Sequence, residues 1–161
     1  MILVHQLMSP PFCLPETAPI EGATRFLLDR GVHGAPVINR EGRAVGVVSL
    51  TDLLSARISG APTDPVSRCM TSPPITVEPG ATIYEAARAM VHQGVHRLVI
   101  VDVEGHPVGV LTPMDILAGL VNMPGGGVFR RLVTNEDVAA GVAVDVLGAT
   151  TDLLPDQDFL P

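Results

Sequence analysis

At 161 residues the chain has the length of one domain, or of two small ones sharing a core. With 47% apolar residues, one Tyr, four Phe and no Trp, that core is aliphatic. A net charge of −7 opposes the phosphate backbone of nucleic acids, and all ten basic residues are Arg, which excludes Schiff-base chemistry and a Walker-type phosphate lysine.

In chain order, the N-terminus MILVHQLMSPPF carries neither a basic region nor a cleavage site, so a cytoplasmic location is expected. No apolar run reaches the roughly 18 residues of a membrane span. Periodicity predicts a helix near Ile20–Arg30, strands near Ala35–Ile38 and Ala44–Val48, and a helix near Leu50–Ile58. Residues 59–65 form a Pro- and Gly-punctuated loop. The order then recurs. Ile75-Thr76-Val77 is long enough only for an edge strand. A helix follows with Ile83, Ala86, Ala87, Met90 and Val91 on one face, capped by Thr82 with Glu85 and stopped at Gly94. Leu98-Val99-Ile100-Val101 is continuous and largely β-branched, as in a strand buried on both faces. Glu104-Gly105 turns the chain into Val108–Leu111, and a last helix runs from Pro113 to about Val121. Beyond it, Pro124 to Gly127 reads as a flexible break and 128–148 lacks periodicity. The acidic 152–161 is expected to be disordered.

Gly31 to Leu54 and Gly94 to Leu117 say nearly the same thing. At a constant offset of 63 residues, 10 of these 24 positions are identical, among them Val32/Val95, His33/His96, Val47/Val110 and Asp52/Asp115. Such a repeat means that one unit buries its apolar face on its twin. The expected domains are residues 1–60, 66–122 and an extension over 123–161.

Ser49-Leu50-Thr51-Asp52 and Thr112-Pro113-Met114-Asp115 each stand where a strand hands over to a helix. A hydroxyl three residues before an acid makes a capping box, and Pro113 falls at the favoured first helical position. The same junction also suits a ribose-phosphate: helix N–H groups attract the phosphate, and the carboxylate accepts ribose hydroxyls. His33 and His96 open the second strand of each copy, either as surface filler or as ligand contacts. Arg97 adds a guanidinium fork that its counterpart Gly34 lacks. His92 and His96 have the i, i+4 spacing of a metal face, but Gly94 interrupts it and no third ligand is near, so no metal is expected. Ser49 lies in VVSLT rather than GxSxG, and no HExxH or P-loop occurs, so no enzyme is expected. Cys13 and Cys69, with no CxxC pair, read as buried, inert thiols.

Two copies of helix, GVH, apolar strand, EG turn, VGVV and S/TxxD followed by a helix resemble a pair of CBS domains, the tandem called a Bateman module. The resemblance covers about Val4 to Val121. HRLVIVD, His96 to Asp102, is similar to repeats in the regulatory γ subunits of AMP-activated kinases. It implies an α+β fold of tandem CBS repeats, each strand-helix-strand-strand-helix, related by a pseudo-twofold. It implies an adenosine ligand (AMP, ADP, ATP, S-adenosylmethionine or NAD), with no other cofactor. Asp52 and Asp115 then hold ribose hydroxyls, Ser49 and Thr112 hold phosphate or ribose, and His96 and Arg97 hold phosphate. His33 matches in part, and Phe12 and Ile75 pack on adenine. A homodimer formed through the helices, signalling to a regulated enzyme or transporter, completes this reading. Its rival is a structural or dimerisation module without a ligand, whose S/TxxD units only cap helices.

Overall fold

A computed structural model describes residues 1–60 and 62–121, together with the backbone of two short strands at 143–144 and 150–151. The first copy contains β1 (Leu14–Pro15), α1 (Ile20–Asp29), β2 (Gly34–Ile38), β3 (Ala44–Ser49) and α2 (Leu50–Ile58). The second contains β4 (Thr76–Val77), α3 (Ile83–Gln93), β5 (Leu98–Val101), β6 (Pro107–Leu111) and α4 (Pro113–Leu120). Each copy has a three-stranded sheet with the long hairpin at one side and the two-residue strand, parallel to its neighbour, at the edge. The fold is α+β, and the pseudo-twofold is visible contact by contact.

Local chemistry explains the elements. Thr82 caps α3 by accepting the N–H of Glu85, whose carboxylate returns to the Thr82 N–H at 2.8 Å; Gly94 ends the helix with φ of 63°. At the hairpin turns, Asn39 Oδ1 accepts the N–H groups of Glu41 and Arg43, and Asp102 Oδ1 those of Glu104 and His106. These two turns meet: the Ala44 N–H donates to the Gly105 carbonyl at 2.9 Å, and His106 Nε2 lies 3.1 Å from the Glu41 carbonyl. In β5, Leu98, Val99 and Ile100 are fully buried, as the unbroken apolar run predicts.

The two cores are completed by exchange. Val4 and Leu7, at the start of the chain, are buried among Ile83, Ala86, Leu98 and Leu111 of the second copy. Val66, in the segment that joins the copies, is buried among Leu14, Ile20, Leu27 and Val37 of the first. The hydrogen bonds match: the Val4 N–H donates to Ala81 and the Val66 N–H to Ala18, both at 2.8 Å. Ser9 then pairs with Val110, and Thr71 with Val47. Close approach at these pairings requires Gly109 and Gly46, because a Cβ there would lie 2.8 Å from Met8 Cγ or 2.5 Å from Met70 Sδ.

The observed ends shift by one residue from the sequence-based expectation at Arg30, Gly34, Ser49, Ile75, Pro107 and Val121. The expectations for 123–161 lie outside the described residues, apart from the antiparallel pair Ala143–Val144 with Thr150–Thr151.

Candidate functional site

The two S/TxxD units are formed as capping boxes. Ser49 Oγ accepts the Asp52 N–H at 3.1 Å and donates to Asp52 Oδ2 at 2.6 Å, and the Ser49 N–H donates to the same Oδ2 at 2.8 Å. Thr112 and Asp115 repeat this at 3.4, 2.7 and 2.7 Å. Asp52 is half-buried, whereas Asp115 is only 5% exposed. Each carboxylate therefore sits in the first turn of a helix, at the positive end of its dipole.

Packing sheet against sheet places these units in clefts that draw on both copies. The larger cleft encloses about 230 Å³. The first copy supplies Val47, Ser49 and Asp52, and the second supplies Ile75, Val95, His96 and Arg97, with Thr71 and Pro74 from the chain between. The other cleft encloses only about 10 Å³. There Phe12, Val32 and Gly34 face Val110, Thr112 and Asp115, with Ser9 and Pro10 at its edge and Arg97 again in its wall.

Arg97 lines both clefts, and the reason lies at Gly34. The Arg97 guanidinium rests on the bare Cα of that glycine, where a Cβ would fall 3.0 Å from its central carbon. The offset of 63 makes Gly34 and Arg97 equivalent positions, so the one side chain occupies space at the pseudo-axis that two cannot share.

Sequence reasoning thus names residues that the structure brings together, but in crossed combinations. Ser49 and Asp52 meet His96, Arg97 and Ile75, while Thr112 and Asp115 meet Phe12. His33 is exposed and lines neither cleft; its carbonyl accepts the Leu50 N–H at 2.8 Å. His92 lines a separate depression with Glu85 and Arg88, away from His96. Val32, Val47, Val95 and Val110 were not singled out as site residues, yet their identity across the repeat was the available signal. Phe12 is 43% exposed, with the Arg30 guanidinium 5.7 Å from its ring.

The thiols are half-buried rather than buried. Burial pushes both thiol pKa values up, with the Asp52 carboxylate adding to the rise at Cys69, so neither thiol is activated. Away from both clefts, Asp102, Glu104 and His106 gather at the β5–β6 turn with donor atoms within 4.8 Å of one another. The backbone N–H of His106 holds the Asp102 carboxyl below its ordinary range, and this turn lies exposed or half-buried. Among the described residues no helix is long and apolar enough to cross a membrane.

Two strand-helix-strand-strand-helix units, related by a pseudo-twofold with clefts between them, define a CBS pair. The chain matches the CBS domain over residues 4–59 and 66–122 and belongs to that family. It is 34% identical over 116 residues to an uncharacterized protein of Methanocaldococcus jannaschii, matching 71% of this chain and 28% of that one. It is 37% identical over 115 residues to the A-adding tRNA nucleotidyltransferase of Aquifex aeolicus, matching 71% of this chain and 14% of the enzyme. The chain thus spans well under two thirds of these relatives. The γ-3 subunit of 5'-AMP-activated protein kinase from Sus scrofa is 33% identical over 121 residues, 69% of this chain and 23% of that subunit. Among solved structures, Arabidopsis thaliana CBSX2 in complex with AMP superposes with TM-score 0.69 at 27% identity, covering 76% of this chain and 98% of that one. A Pyrobaculum aerophilum CBS domain protein complexed with AMP gives TM-score 0.67 at 32% identity, covering 75% and 99%.

Proposed function

We propose that this CBS pair is a non-catalytic sensor that binds an adenosine compound and passes its ligand state to a regulated enzyme or transporter. One observation carries the reading. A carboxylate at a helix N-terminus, an apolar wall and a basic edge converge in one open cleft, and such a set fits ribose, adenine and phosphate in turn. The capping bonds described engage only Oδ2 of Asp52. A carboxylate has about four lone-pair sites, so capacity remains for ribose hydroxyls. Ser49, His96 and Arg97 would meet phosphate and Ile75 the adenine, with Thr112, Asp115 and Phe12 as their counterparts in the other cleft. The AMP complexes of CBSX2 and of the Pyrobaculum protein support an adenosine ligand. Ligand would favour one arrangement of the copies and thereby alter a contact surface.

A homodimer is the expected assembly, since Leu54 and Ile58 on α2, Val91 on α3 and Leu117 and Leu120 on α4 leave apolar surface exposed. The rival, a dimerisation module without ligand, draws support from capping boxes complete in themselves. Calorimetry with AMP, ADP, ATP, S-adenosylmethionine and NAD separates the two. Binding of at least one without turnover is the expected result. Silence from all five at millimolar concentration would favour the rival module, and steady turnover would refute the non-catalytic reading.

A further inference from the structure

We infer that Arg97 plugs the Phe12–Thr112–Asp115 cleft by resting on Gly34, so that the chain takes up one adenosine ligand, in the Ser49–Asp52–Ile75 cleft, rather than two. The inference rests on the proposed function and assigns its stoichiometry to one residue pair.

The two clefts are assembled from equivalent positions: Val32 with Val95, Phe12 with Ile75, Thr112 with Ser49, Asp115 with Asp52, and Val110 with Val47. Matched walls should enclose matched volumes. They enclose about 10 Å³ and about 230 Å³. A further equivalent pair, Gly34 with Arg97, differs more in size than any of these. Gly34 stands in the wall of the smaller cleft, where its missing side chain would by itself leave room. The guanidinium of Arg97 takes that room, with its central carbon 3.0 Å from where a Cβ would stand. The Val48 carbonyl lies 2.8 Å from the same point, so any side chain at residue 34 would meet backbone as well as the guanidinium. Thr112 and Asp115 share the wall of that cleft, so a cation stands where a neutral ribose would have to enter. Removing the Arg97 side chain should reopen it.

Equilibrium dialysis with labelled AMP, carried to saturation, tests this on the full chain. Melting curves establish that each variant is folded. The wild type should take up one AMP per chain, Arg97→Ala two, and the double variant Arg97→Ala/Asp115→Asn one again. Affinity in the remaining cleft will fall in Arg97→Ala if the guanidinium also reaches its phosphate, but saturation removes that effect from the count. Two AMP per wild-type chain, or one per chain in folded Arg97→Ala, would overturn the inference and leave the proposed function standing. A second site in Arg97→Ala that survives Asp115→Asn would also overturn it, because the new site would not be this cleft. A wild-type chain that takes up none of the five adenosine compounds would overturn the proposed function and this inference together.

Discussion

A carboxylate in the first turn of a helix can serve the fold and a ligand at once, because its two oxygens need not have the same partner. At Asp52 the fold uses Oδ2, which accepts the N–H and the hydroxyl of Ser49. Removing the acid should therefore cost stability and affinity separately. Asp52→Ala should lower ligand-free stability by about 0.3–1 kcal/mol through the lost helix-terminal charge. It should weaken AMP by about 1.5–3 kcal/mol if charge-assisted bonds to ribose are lost. Urea unfolding without ligand gives the first quantity and calorimetry the second. A stability loss with unchanged affinity would return Asp52 to a capping role alone. The hydroxyl–acid spacing made both roles legible in the sequence. The spacing does not show which carboxylate is buried; Asp115, 5% exposed, faces Phe12, Val32 and Gly34 of the other copy.

Helix caps and turn residues are decided within four or five positions of the chain, so the elements were the most readable level. Thr82 and Glu85 illustrate this, with every expected bond of the box present. The backbone N–H of Thr82 and then its hydroxyl hold the Glu85 carboxyl below its ordinary range. A folded-state pKa below the unfolded value means stability that is present above the unfolded pKa and lost as pH falls through the folded one. Glu85→Gln should thus flatten the loss of stability below about pH 4.5, with little change near neutrality, where the neutral amide still accepts the Thr82 N–H. Urea unfolding at a series of acidic pH values checks this, and parallel profiles for wild type and variant would contradict it. The group is fully exposed, so raising the salt concentration should also narrow the difference.

At the scale of the whole molecule, what escaped the sequence is what depends on two distant stretches meeting. The offset of 63 that aligns the copies becomes 62 between Val4 and Val66, and between Met8 and Met70, so these segments fall out of register with the repeat. Nothing local marks Val4 and Leu7 as belonging to a core formed some eighty residues later. The crossed clefts have the same origin: Ser49 meets His96 only because the copies pack on each other. This reciprocal covering has a consequence for a broken chain. If the backbone is cut in the 59–65 loop, each half still holds a piece of the other's interior, Val4 and Leu7 in one direction and Val66 in the other. A nick there should leave the halves joined without any covalent link. Separately expressed pieces 1–60 and 61–161 should each be poorly folded yet recover native secondary structure on mixing, as a split protein does. Circular dichroism of each piece and of the mixture measures this. Two halves that fold fully apart would show that the exchanged segments are ornament rather than mutual completion.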